Sequence, residues 1–125
     1  MTDSSTIDFA ESIKKRTKKF VVDNIRFFRT LPEAEEAKII GRQLLCSSSS
    51  VGSNYRATCR ARPQAEFHAK LSIVVEEADE SVFWMEVLVE ADIVKKSDLD
   101  DCYSNIKNNS HIPQNRNKPK QVIEN

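Results

Sequence analysis

Apolar side chains return at alternating steps of three and four residues along three long stretches of this chain, and only two glycines, Gly41 and Gly52, interrupt its 125 residues. Such steps put every member of a row on one side of an α-helix, whereas a strand needs strict alternation. The chain is therefore committed to long amphipathic helices whose stripes must lie against one another.

The first row is Ala10, Ile13, Thr17, Phe20, Asn24, Phe27 and Leu31, widened by Val21, Ile25 and Phe28, and it predicts a helix over residues 6–30. Pro32 suits a helix's first turn, and Thr30 with Glu33 has the spacing of a capping box that satisfies free backbone N–H groups. A second helix over 32–61 is expected, with Ala37, Ile40, Leu44, Ser47, Val51, Asn54 and Thr58 on its seam. The run from Ser47 to Ser50 is poor in helix propensity. Gly41, Ser48 and Gly52 nevertheless share one helical face, where small side chains let another backbone come close.

Pro63, with Glu66 near the positive end of the helix dipole, begins a third helix over 63–92. Its seam is Phe67, Leu71, Val74, Ala78, Ser81, Met85 and Leu88. A second row, Val75, Val82 and Val89, repeats every seven residues on a different face, and Ile73, Trp84 and Val87 add to the apolar surface. From Val82 to Val89 the helix is apolar almost all round, which points to burial on two sides and so to self-association through Val75, Val82, Val89 and Trp84. Ser97 with Asp98 and Asp100 reads as the cap of a short fourth helix over 97–109, in which Leu99, Cys102, Tyr103 and Ile106 share a face. Beyond it, Ile112, Val122 and Ile123 are too few to repay ordering, so residues 110–125 read as a flexible tail. The expectation is an all-α, antiparallel up-down four-helix bundle over 1–109, about one domain's length, with that tail attached.

Lysines plus arginines and aspartates plus glutamates number 19 each, so the whole chain is neutral. The distribution is not even: residues 1–30 carry +3, 31–62 carry +2, 63–101 carry −8 and 102–125 carry +3. Two glycines cannot write a dinucleotide-binding, Walker A or serine-hydrolase signature. Cys46, Cys59 and Cys102 are an odd set without C-x-x-C spacing, which fits a reducing cytoplasm better than a disulfide-stapled domain. No apolar run approaches the roughly 18 residues that a membrane span needs.

Three ordered motifs carry a resemblance. They are Gln43-Leu44-Leu45-Cys46-Ser47-Ser48-Ser49-Ser50-Val51-Gly52-Ser53-Asn54-Tyr55-Arg56, then Ala65-Glu66-Phe67-His68-Ala69-Lys70-Leu71-Ser72-Ile73, then Glu77-Ala78-Asp79-Glu80-Ser81-Val82-Phe83-Trp84. Over roughly residues 16–100 the chain resembles the bacterial four-helix-bundle family, also called the 23S rRNA intervening-sequence proteins. The resemblance implies a left-handed up-down bundle and a homopentameric ring or barrel. It also implies kinship with the accessory variability protein of diversity-generating retroelements, which assists a reverse transcriptase and binds nucleic acid. It implies no catalytic residue and no cofactor.

Two functions from different classes follow. The first is a non-catalytic homo-oligomeric scaffold that binds RNA, DNA or a nucleic-acid enzyme such as a reverse transcriptase, or another protein partner. Its candidate phosphate contacts are Lys14, Lys15, Lys18, Lys19 and Arg26, with Arg56, Arg60 and Arg62 near Tyr55. The same charges also suit a solvated face, pairing with the acidic third helix, or the negative end of the second helix's dipole. Ser50, Asn54, Glu80 and Ser81 are candidates for a polar network that fixes helix register. The second function is a small metal-binding protein or enzyme using Glu77, Glu80 and His68. Carboxylate-bridged bundles need Glu-x-x-His pairs, however, and Ala65 stands three before His68 while the other histidine, His111, falls in the expected tail. The cysteines read as small buried hydrophobes.

Overall fold

A computed structural model describes residues 4–107 of the protein. The expected tail over 110–125, with His111, lies outside the described residues. Four helices follow one another: α1 over Ser4–Phe28, α2 over Glu35–Arg60, α3 over Gln64–Glu90 and α4 over Asp100–Lys107, the last led in by a 3-10 turn over Lys96–Leu99. α2 packs against both α1 and α3, and α4 packs against α1.

The rows read from the sequence form the core. Ile13, Thr17, Phe20, Asn24, Phe27 and Leu31 are buried on α1 and just beyond it. Ala37, Leu44, Ser47, Val51 and Thr58 are buried on α2, and Val74, Ser81, Met85 and Leu88 on α3. Leu99 and Cys102 close the core from the α4 side. Full burial of one such aliphatic or aromatic side chain is worth about 1.5–3 kcal/mol, so this stripe is what holds the helices together.

The serine run is helical, and its small face has a structural use. A Cβ on Gly41 would collide with the side chains of Leu31 and Phe28, and one on Gly52 would meet Val21 Cγ2 at 2.8 Å. Both glycines therefore seat α1 directly on the α2 backbone. Ser47 and Ser48 return their hydroxyls to Leu44 and Leu45 carbonyls, each at 3.3 Å, so their burial leaves no orphan hydroxyl.

The helix starts differ from expectation. α2 begins at Glu35 rather than Pro32, and the Thr30–Glu33 capping box does not form: Thr30 Oγ1 donates back to the Phe27 carbonyl at 2.7 Å. A turn that finishes α1 outcompetes the cap that would begin α2. Ser97 is not a cap either, because it lies inside the 3-10 turn. There the Lys95 N–H donates to Asp98 Oδ2 at 2.9 Å, while the Asp98 N–H donates to the Lys95 carbonyl at 2.9 Å. Pro63 does precede α3 directly, and its carbonyl accepts from the Phe67 N–H at 3.0 Å.

α3 stops through a left-handed residue. Asp92 has φ 61°, its N–H donates to the Val89 carbonyl at 3.0 Å, and the Ile93 N–H reaches back to the Leu88 carbonyl at 3.0 Å. This is a Schellman pattern with Asp where glycine is usual. It turns the chain over the end of the bundle and lays Ile93 and Val94 against the core.

Candidate interaction surfaces

The candidate polar residues fall into three settings. Ser81 is fully buried and donates across the helix pair to Ser47 Oγ at 2.9 Å, with the Glu77 carbonyl also 2.9 Å away. Asn54 donates within its own helix to the Ser50 carbonyl at 2.9 Å. Glu80 is exposed and accepts from Trp84 Nε1 at 3.2 Å. Among the described residues, only Ser81 of the four makes a side-chain bond between helices, and its partner is Ser47. In place of the expected four-residue network stands a Ser47–Ser81 tie, because Asn54 bonds the Ser50 carbonyl and Glu80 bonds Trp84 along their own helices.

A second polar tie was not read from the sequence. Asp23 is buried, and its Oδ2 accepts from Asn105 Nδ2 at 2.8 Å and from Lys19 Nζ at 2.7 Å. This clasp anchors α4 to α1. The hydrogen bond to Asp23 raises the Lys19 ammonium pKa above its ordinary value. Burial, with Asp23 and Asp101 nearby, pushes the Cys102 thiol up to about 12. Beside the clasp, Asn24 donates to the Phe20 carbonyl at 2.8 Å, while its Oδ1 is buried without a hydrogen-bond partner.

The basic candidates divide by helix. Lys15, Lys18 and Arg26 are exposed on the outer side of α1, away from its seam. Lys14 pairs locally with Glu11 at 3.1 Å, and Lys19 is engaged by Asp23. Arg56, Arg60 and Arg62 are exposed around the turn between α2 and α3, at the end of the bundle where α1 begins. Arg42 joins them on α2 through Cys46, Ser49 and Ser53, one exposed stripe at steps of three and four; the heptad reading passed over it because it followed only the apolar face. Near Asn105 of α4 an open groove of about 700 Å³ lies along α1 between Ser12, Lys15, Arg16 and Lys19.

Tyr103 of α4 feels the charge of Glu86, and that charge, with burial acting more strongly, raises the phenol's pKa. Val82 and Val89 are half-buried, whereas Val75 is 46% exposed. Trp84 is half-buried on the other flank, edge-on to Phe83 with ring centroids 4.8 Å apart.

Among the described residues no three of His, Cys, Asp and Glu gather as a metal-ligand set. His68 lies against the ring of Phe67 with centroids 5.6 Å apart, about two and a half turns before Glu77 and so on the opposite face. Cys46 and Cys59 are exposed, contrary to the reading of all three cysteines as buried; only Cys102 is. Among the described residues no helix is long and apolar enough to cross a membrane.

The family model of the 23S rRNA-intervening sequence proteins matches residues 11–114. The chain belongs to that family. Among solved structures, a protein of unknown function from the S23 ribosomal protein family of Bacteroides thetaiotaomicron VPI-5482 superposes with a TM-score of 0.71 at 24% identity, covering 81% of this chain and 91% of that one. The likeness shows the all-helical fold and nothing about activity. No curated protein matches the chain. The family and the fold are those the three motifs implied.

Proposed function

We propose that this family member is a non-catalytic scaffold that works by self-association. The observation that carries the reading is the apolar surface left open on α3: Ile73, Val75 and Phe83 are 40%, 46% and 52% exposed. Such side chains on an otherwise charged helix are the mark of a contact surface, since a monomer gains nothing by wetting them. Phe83 and Trp84, edge to face, form the kind of aromatic anchor that dominates interface energetics. The absolute mass of nuclease-treated protein by light scattering tests the reading. A mass of several chains, five on the family resemblance, is the expected result. A monomer at every concentration up to about 100 μM would sink it, because an assembly that weak would fall short of the micromolar affinities of working interfaces.

Nucleic acid is the second reading, supported by the exposed cations Lys15, Lys18, Arg26, Arg56 and Arg60. Charge reversal at Lys15, Lys18 and Lys19 should then weaken RNA binding and flatten its dependence on salt by about one counterion per lost phosphate contact. Unchanged affinity and slope would remove these lysines from the interface.

A further inference from the structure

From Ala37 to Ala65 the chain carries no carboxylate, and from Leu71 to Glu90 it carries no cation. These stretches make up most of α2 and most of α3, neighbouring helices that pack along each other and are joined by the short turn over 61–63. The outer stripe of α2 reads Arg42, Cys46, Ser49, Ser53, Arg56 and Arg60, all exposed and all opposite its buried seam. Arginines stand at both ends, and small side chains make a shallow floor between them. None of these three arginines has an ion pair among the described residues. The outer stripe of α3 is the inverse in charge and in relief: Glu76, Asp79, Glu86 and Glu90 are exposed around Phe83, itself 52% exposed.

The two stripes share one register. The Ser81–Ser47 bond sets α3 and α2 level at those residues. Because the helices run antiparallel, each step forward on one matches a step back on the other. Glu86 is therefore level with Arg42, and Phe83 with Leu45, one residue from Cys46. Glu76 is level with Gly52, beside Ser53 and about 6 Å along the axis from Arg56, within an arginine's reach. Asp79 and Glu80 come level with Ser49 and Ser48, where no carboxylate opposes them.

We propose that a second copy of this chain seats its acidic α3 stripe on the α2 stripe of the first, with Phe83 lying on the floor made by Cys46 and Ser49. Glu86 then meets Arg42, and Glu76 meets Ser53 and Arg56. The stripes stand on neighbouring corners of one bundle, which point roughly 90–120° apart, so each contact turns one copy by roughly 60–90° against the last. A turn about an axis parallel to the helices keeps the register, and the heterologous contact closes into a ring of about four to six copies. Pairing α3 with α3 instead would press carboxylates together, which selects against that arrangement. The assignment rests on the self-association reading and adds which faces meet. It turns the α2–α3 side toward the ring axis and leaves the α1 cations on the outer wall.

The test uses the full chain. In a Cys59→Ser background, Phe83→Cys should let mild oxidation join position 83 of one copy to Cys46 of the next, since a disulfide forms only where Cα atoms come within about 7 Å. The denatured products should form a ladder that stops at the number of chains given by the natural protein's mass, and the ladder should vanish with Cys46→Ser. By light scattering and sedimentation, R42E/R56E and E76K/E86K should each weaken association about tenfold or more, and the four changes together should return it to within about threefold of the natural chain. R42Q/R56Q keeps the test sharp if a reversal unfolds the helix, and should lose affinity in the same direction. An assembly that gives no crosslink through Cys46 and ignores the α2 changes overturns the face assignment while leaving the scaffold reading standing. A ladder that runs on past the ring number overturns the closed arrangement. A natural chain that is monomeric throughout overturns both readings. Should R42E/R56E abolish binding of a single-stranded RNA probe without altering mass, the α2 stripe serves a polyanion and the assignment falls.

Discussion

The seam of α3 is one unbroken row, yet its two ends are treated differently. Leu88 is fully buried, whereas Phe67, three heptads earlier, is 37% exposed. The same holds on α1, where Leu31 is 4% exposed and Phe9 59%. The difference is α4 and the 3-10 turn before it, whose Cys102 and Leu99 close over one end only. The 8 described residues of α4 span about 12 Å against about 40 Å for the 27 of α3, so among the described residues α4 lies along one end of the bundle only. A heptad repeat says which side of a helix is apolar; burial depends on what stands opposite.

The cysteines test this contrast most strongly. Cys59 belongs to the open end and Cys102 to the closed end. In native protein diluted to single chains, Cys46 and Cys59 should react with a thiol reagent at near the free-thiol rate, and Cys102 about 10³-fold more slowly, since it must wait for α4 to open. Comparable rates would mean that α4 is not held down. The raised thiol pKa also has a sign. With a folded pKa near 12 and an unfolded one about 8.5, the folded state holds the proton more tightly. Its contribution is complete below the unfolded pKa and falls away as pH rises toward 12, seen as a urea midpoint that drops on the alkaline side and holds in Cys102→Ala.

Truncation sharpens the comparison. Leu88→Ala should cost about 2–5 kcal/mol by lost burial and an unfilled cavity. Phe67→Ala should cost less, about 1–2 kcal/mol in the single chain, because more than a third of its surface stays in water there and truncation leaves no enclosed cavity. Urea midpoints with unchanged slopes decide between them. Equal losses would mean that the open end is covered too. The clasp comes next: Asn105→Ala should cost about 1–3 kcal/mol by stripping a donor from a buried carboxylate. Hydrogen exchange should then quicken in α4 first. A uniform rise across α2 and α3 would assign Asp23–Asn105 to the whole bundle instead.

The sequence made the seams legible because spacing alone fixes a helical face. The family was legible in the serine run and the two motifs after it, and close packing at Gly41 and Gly52 in the absence of side chains. The Asp23–Asn105 clasp was hidden because nothing in either residue's neighbourhood announces a partner 82 positions away. The direction of the Val75, Val82 and Val89 row was hidden for a related reason. Periodicity shows that three residues share a row, but only the packing of the bundle decides that Val82 and Val89 are half-buried while Val75 is exposed. Helix starts were misplaced where two local hydrogen-bonding choices competed, as at Thr30.

The smallest expected effect lies where the closed end is fastened. Asp92 pays for a left-handed backbone that L-residues disfavour, and its carboxylate sits at the negative end of the α3 dipole. Asp92→Gly relieves both, at the expense of a more flexible unfolded chain, and should stabilise by about 0.5–1 kcal/mol. Asp92→Asn removes only the charge, since Asn tolerates the same conformation, so the difference between the two variants isolates the backbone term. A gain confined to glycine points to strain, and equal gains point to the dipole. Either gain should slow exchange at Ile93 and in α4, because the turn at Asp92 is what swings the chain over Leu88 and delivers the short helix to its place. A loss in both variants would mean that the Asp92 carboxylate holds the turn itself.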